Sequence, residues 1–182
     1  MYVCILSVQA LKMSRRLEKE ISDINMKEDT YYVVEGNWDA EEKMSFTVRM
    51  AVPNSKLNAT VNVKVPKDYP FKPPDLKTME LQLYDGSFAP VKDSYSKGKE
   101  AIARKMCDSN VVDGNECTKI MQLFDYYDGR EGGMYNALTR LPEIIDNIIF
   151  PIVTFYSRLF EKGEGGNLND ALLESKQKML KL

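Results

Sequence analysis

Two runs of alternating apolar and polar residues, joined by a short turn, constrain this chain more than any other feature. In SFTVRMAV, residues 45–52, Phe46, Val48, Met50 and Val52 share one parity. In NATVNVKV, residues 58–65, Ala59, Val61, Val63 and Val65 share one parity, and Asn58, Thr60, Asn62 and Lys64 take the other. A period of two sends alternate side chains to opposite faces of a strand. Pro53-Asn54-Ser55-Lys56 supplies turn residues between the runs. The pair therefore reads as part of an antiparallel meander with one wet face. Pro66 then opens PKDYPFKPPD, where Pro70, Pro73 and Pro74 crowd into a turn-rich segment that no central strand tolerates.

Helices are expected on either side of the meander. Over 14–26, Leu17, Ile21 and Ile24 form an apolar stripe at helical spacing, Arg15, Arg16, Lys19 and Asp23 lie off it, and Ser14 can cap the start. TYYVVE, residues 30–35, suits a first strand, and DLKTME, residues 75–80, a fourth. Residues 81–105 read as a long loop with a short helix near 98–106, and 107–136 as irregular, punctuated by Asp113-Gly114. A helix is expected over 139–150, with Thr139 as cap, Pro142 in the tolerant first turn, and Leu141, Ile144, Ile145, Ile148 and Ile149 as its apolar face. A further short helix is expected over 151–162, a break at the 163–166 glycines, and a last helix over 169–181. The order is that of a single α+β domain over 14–182, preceded by a tail, 1–13.

The chain has 182 residues, a formal net charge of −2 and no histidine. Without imidazole there is no Cys-His or Ser-His nucleophilic pair and no histidine-ligated metal. The mixed charges offer no footprint for nucleic acid or an anionic membrane. The apolar opening, MYVCILSVQALKM, is shorter than the roughly 20 residues of a membrane span. Cys4, Cys107 and Cys117 make an odd set with no CxxC, so no disulfide is expected, and a reducing, cytoplasmic or nuclear compartment is.

Several segments, in order, resemble the ubiquitin-conjugating enzymes. VNVKVPKDYPFKPPDLK, residues 61–77, is similar to that family's third strand and following loop. RRLEKEISDIN matches its first helix, DGNEC (113–117) its approach to the catalytic cysteine, ALTRLPEIIDNI (137–148) its central helix, and NLNDALLES (167–175) a later segment. The resemblance implies the UBC-like fold: an N-terminal helix, a four-stranded antiparallel meander, then central and C-terminal helices. It implies that Cys117 carries ubiquitin or a ubiquitin-like protein as a thioester, with an activating enzyme and a ligase as partners and no cofactor or metal. Phe71 and Pro70, with Asn136 and Ala137, would meet the ligase. Arg15, Arg16 and Lys19 would meet the activating enzyme.

The chain also departs from that pattern. Cys107, Asp108 and Ser109 occupy the places of the family's His-Pro-Asn, so Ser109 and Asn110 are the nearest residues to its supporting asparagine. Stretches 81–105 and 118–134 are longer than the family's. Thioester exchange needs an ionisable thiol and no histidine base, and Cys117 has polar neighbours in Glu116, Thr118 and Lys119. Transfer to an amine passes through an oxyanion, and losing a comparable donor costs about 10²–10³ in rate. Two functions follow: a conjugating enzyme acting through Cys117, or a non-catalytic relative, an inactive variant or RWD-type interaction module, that keeps the YPxxxP loop. Cys107 reads as structural.

Overall fold

The computed structural model describes residues 15–28, 30–38, 44–109, 111, 113–125 and 135–161. The expected tail, the Ser14 cap, Asn110, the glycine break and the 169–181 helix lie outside the described residues.

Helix α1 covers residues 15–25. Leu17, Ile21 and Ile24 are buried, as their spacing requires. Strands β1 (Tyr32–Trp38), β2 (Met44–Ala51), β3 (Asn58–Val65), β4 (Asp75–Tyr84) and β5 (Ser96–Lys97) follow. They pair antiparallel in sequence order. One row of Cα partners crosses the whole sheet: Val34, Val48, Val61, Leu81 and Ser96. All five are buried, and the expected inward residues of the two alternating runs are buried with them. A one-residue slip would send this entire set to water, which is what fixes the register. On the wet face Glu35 pairs with Arg49 at 3.0 Å and Glu80 with Lys97 at 2.7 Å.

The sheet has five strands, not the expected four. β4 runs to Tyr84 because Met79, Leu81 and Leu83 continue the alternation past Glu80. Residues 81–105 are therefore not an irregular loop. At Asp85 the chain reverses. Its carboxylate accepts from the backbone N–H of Ser87 (2.8 Å) and Ala89 (2.9 Å) and from the Ser87 hydroxyl (2.7 Å). Those bonds hold the Asp85 carboxyl below its ordinary range. Ser94 is buried on the return: Gln82 Nε2 donates to its Oγ at 2.6 Å. The Tyr156 hydroxyl lies 2.8 Å from Ser96 Oγ and donates to the Ser94 carbonyl at 2.8 Å. The short β5 is thus held as much by Tyr156 as by its strand pairing. Gly98, at φ +86°, turns the chain from β5 into the next helix, a conformation that favours glycine.

Helix α2 (Lys99–Cys107) fulfils the expected short helix. Helix α3 (Gly114–Asp125) lies where irregular chain was expected. The last described helix is continuous: α4 (Leu141–Ile144), a π turn (Ile145–Ile149) and α5 (Phe150–Ser157). The expected separate helix over 151–162 is its second half. Pro151 cannot donate to a carbonyl four residues back, and its ring crowds that group. A wider turn just upstream accommodates it, with Phe150 N–H donating to the Ile145 carbonyl. All these elements join one apolar cluster with the sheet.

Asp146 lies on this helix. Burial pushes its carboxyl up, opposed by the 2.8 Å hydrogen bond that the Tyr32 hydroxyl donates and by Lys27. A carboxyl raised in the fold binds a proton more readily there than in the unfolded chain, so its ionisation opposes folding above the ordinary aspartate range. Tyr32→Phe is expected to lower the unfolding free energy by about 1–3 kcal/mol by leaving that carboxylate without its donor. Asp146→Asn is expected to cost less, because the amide oxygen still accepts from Tyr32 and no charge is buried. Urea titration at neutral pH checks both, and an equal loss in the two variants would contradict this account.

Candidate functional site

The turn-rich YPFKPP segment is tied to α1 and to the entry of α4 through one carboxylate. The buried Tyr69 donates its hydroxyl to Glu20 Oε2 at 2.6 Å. The same oxygen accepts from the Leu141 N–H, the first of α4, at 3.1 Å. Arg16 Nε donates to Glu20 Oε1 at 2.9 Å, and Arg16 Nη1 to the Ala137 carbonyl at 3.0 Å. Its guanidinium also lies 5.8 Å from the centre of the Tyr69 ring. Tyr135 closes the ring of contacts, its hydroxyl donating to the Pro70 carbonyl at 2.6 Å.

This network changes the expected cap of α4. Thr139 does not cap it. Its hydroxyl oxygen accepts instead from the Asn136 N–H at 3.1 Å, shaping the turn before the helix. Glu20, from a different helix, takes the capping role and places negative charge at the helix amino end, where the dipole favours it.

Tyr135 thereby ties Pro70 to the segment that runs on into Asn136 and Ala137, and Phe71 and Asn136 line one groove. Phe71 is 78% exposed, and Leu138, on the turn before α4 and beside α1, is 84% exposed. A groove of 530 Å³ runs beside Phe71, lined also by Pro74, Leu76, Phe124, Tyr135 and Asn136. Arg15 and Lys19 are exposed on α1, whereas Arg16 is turned inward into the Glu20 network. The three basic residues therefore do not form one free face.

The cysteines require a correction. Cys107 and Cys117 are bonded to each other, with Cα atoms 5.5 Å apart. Cys117 lies in α3, not in a loop, and is half-buried. Two signals placed it there. Asp113 and Glu116 form a capping box: the Glu116 N–H donates to Asp113 Oδ1 at 2.8 Å, and the Asp113 N–H to Glu116 Oε2 at 3.2 Å. Cys117, Ile120 and Phe124 then share a helical stripe, the last two buried. Asp113-Gly114, read as a turn, is the cap and the first helical residue. Ser109, near the missing asparagine's place, donates its hydroxyl to the Met106 carbonyl at 2.6 Å.

Among the described residues no cluster of three or more acidic, cysteine or histidine side chains could hold a metal ion, and no helix is long and apolar enough to cross a membrane. No family model, curated protein or solved structure matches this chain.

Burial and the Glu20 hydrogen bond push the Tyr69 hydroxyl up, and burial pushes Tyr135 up to about 12. A hydroxyl raised in the fold keeps its proton longer there, so its contribution is complete below about pH 10 and is lost as pH rises beyond it. Stability is expected to fall on alkaline titration, less steeply in Tyr69→Phe. Glu20→Ala is expected to cost about 3 kcal/mol, since it strands a hydroxyl, a guanidinium and a helix N–H together. The Cys107–Cys117 bridge closes a loop of sequence separation 10. The chain-entropy relation gives it about 3 kcal/mol, so reduction is expected to lower Tm with the fold retained. Circular dichroism melts with and without reductant check this.

Proposed function

We propose that this chain is a protein-interaction module, a non-catalytic relative of the ubiquitin-conjugating enzymes its sequence resembles. Its partner, a protein of the ubiquitin-like conjugation pathway such as a ligase, docks on the Phe71–Leu138 surface. The observation that carries this reading is the Tyr135–Pro70 clamp, which joins segments 65 residues apart and presents two exposed apolar side chains on a fixed frame. Such preorganisation lowers the ordering cost of association. The bonded state of Cys117 supports the same reading, because a sulfur in a disulfide is not available to carry a thioester. The sequence lacks the family's asparagine as well.

One observation favours the second reading, a conjugating enzyme acting through Cys117. Once reduced, that thiol lies in the first turns of α3, where the helix amino end favours a thiolate.

The test is a charging reaction on the reduced chain with activating enzyme, ATP and a panel of ubiquitin-like proteins, run on a non-reducing gel. No thiol-sensitive adduct is expected. An adduct lost in Cys117→Ser and kept in Cys107→Ser would establish the enzyme instead. In parallel, ligase domains are titrated calorimetrically. Phe71→Ala and Leu138→Ala are each expected to weaken binding about tenfold or more, with Tm unchanged because both side chains are exposed.

A further inference from the structure

Helices α2 and α3 form an antiparallel hairpin fastened at both ends. At the turn, the last residue of α2, Cys107, is bonded to Cys117. At the open end, Lys99, buried at the start of α2, is paired with Asp125 at the end of α3. The bridge has water-exposed neighbours: both cysteines are half-buried, and Asp108, Val111, Asp113 and Gly114 are exposed. A disulfide so placed is open to small thiols in a way that a core disulfide is not.

The two sulfurs differ in their surroundings. Cys107 is at the carboxyl end of its helix, where the dipole opposes negative charge. Cys117 is the fourth residue of its helix, where the dipole favours it, and the nearby Asp113 and Glu116 carboxylates are engaged in the capping box. In thiol–disulfide exchange the sulfur better able to hold negative charge departs faster.

We infer that Cys107–Cys117 is a redox-modification site, a thiol–disulfide switch that exchanges with glutathione-type thiols and thereby alters the groove beside Phe71. A glutathione thiolate attacks Cys107 Sγ. The S–S bond breaks, and its electron pair leaves with Cys117 as a thiolate, which takes a proton from water. A second glutathione thiolate attacks the glutathione sulfur of the mixed disulfide, releasing Cys107 and forming glutathione disulfide. Two electrons pass from two glutathiones to the bridge, and glutathione disulfide drives the reverse.

The link to the groove is α3 itself. Cys117, Ile120 and Phe124 recur at i, i+3 and i+7, so the bridged residue lies on the same stripe as Phe124. Phe124 lines the groove with Phe71 and Tyr135. Opening the bridge leaves α3 held by its Lys99–Asp125 pair and by the packing of Ile120 and Phe124. This coupling rests on the docking reading above; the exchange chemistry does not.

The experiment equilibrates the full chain in glutathione buffers from cytosolic to secretory poise, traps free thiols by alkylation and reads the 107 and 117 peptides by mass spectrometry. A single two-electron transition within that range is expected, with Cys117 the faster thiol to alkylate in the reduced chain. A bridge that survives the cytosolic poise, or a pair that stays reduced at the secretory one, overturns the switch. The groove is read on chain labelled with fluorophenylalanine, with the Phe124 resonance assigned by Phe124→Leu. A shift of that resonance that tracks the transition is expected, and a constant resonance overturns the coupling. If the resonance shifts but Phe71→Ala leaves ligase binding intact, the docking reading fails and the switch stands.

Discussion

The Glu20 carboxylate is the contact on which the rest of the structure depends. It is nearly buried, with a side chain 12% exposed, and a buried charge is tolerated only when its hydrogen-bonding capacity is met. Here it is met by the Tyr69 hydroxyl, the Leu141 N–H and the Arg16 guanidinium. Each donor belongs to a different part of the chain. The carboxylate therefore fixes the YPFKPP turn, the start of the long helix and the orientation of α1 at one point. Tyr135 adds a second fastening from the turn before α4 to Pro70. Neither turn has a regular ladder of its own, so side-chain bonds supply the rigidity that secondary structure does not.

The sheet solves a different problem. Its inward row is apolar from Val34 to Leu81 and ends on Ser96, whose hydroxyl meets Tyr156 from the long helix. A polar group at the end of an apolar row must find a partner there or pay the desolvation cost. The hydroxyl pair meets that requirement, and it fastens the last, two-residue strand to the helical layer. The helix thus meets the rest of the molecule through polar contacts at Glu20 at its start, Tyr32 at Asp146 and Ser94–Ser96 near its end, with an isoleucine-rich buried face along the same stretch.

The same economy shapes the functional reading. Phe71 and Leu138, the two most exposed large apolar side chains among the described residues, are on the turns fastened by the Glu20 and Tyr135 contacts. Exposed apolar residues on a rigid frame lose little freedom on association, which is what a docking surface needs. The cysteine pair belongs to the α2–α3 hairpin, and of the described residues of that hairpin Phe124 lines the groove beside Phe71. The proposed docking surface and the proposed thiol switch thus lie in two parts of the fold, joined by one helix.

The sequence by itself determined the meander, the inward faces of β2 and β3, the stripe of α1 and the apolar face of the last helix. It did so because each is a periodic pattern read within a few residues. The full length of β4 and α3 were also written locally, in the alternation Met79, Leu81, Leu83 and in the Asp113–Glu116 capping box, but turn residues beside each signal obscured it; the two-residue β5, held by Tyr156, carries no such pattern. The grouping of Pro70 and Phe71 with Asn136 and Ala137 came only from a family resemblance, since no local pattern joins segments so far apart. Only the tertiary structure decided that Glu20 caps α4, that Arg16 turns inward, and that Cys107 meets Cys117. Those outcomes depend on how whole helices approach one another. A carboxylate on the polar flank of a helix, or a cysteine with no spacing partner, carries no mark of what will arrive beside it.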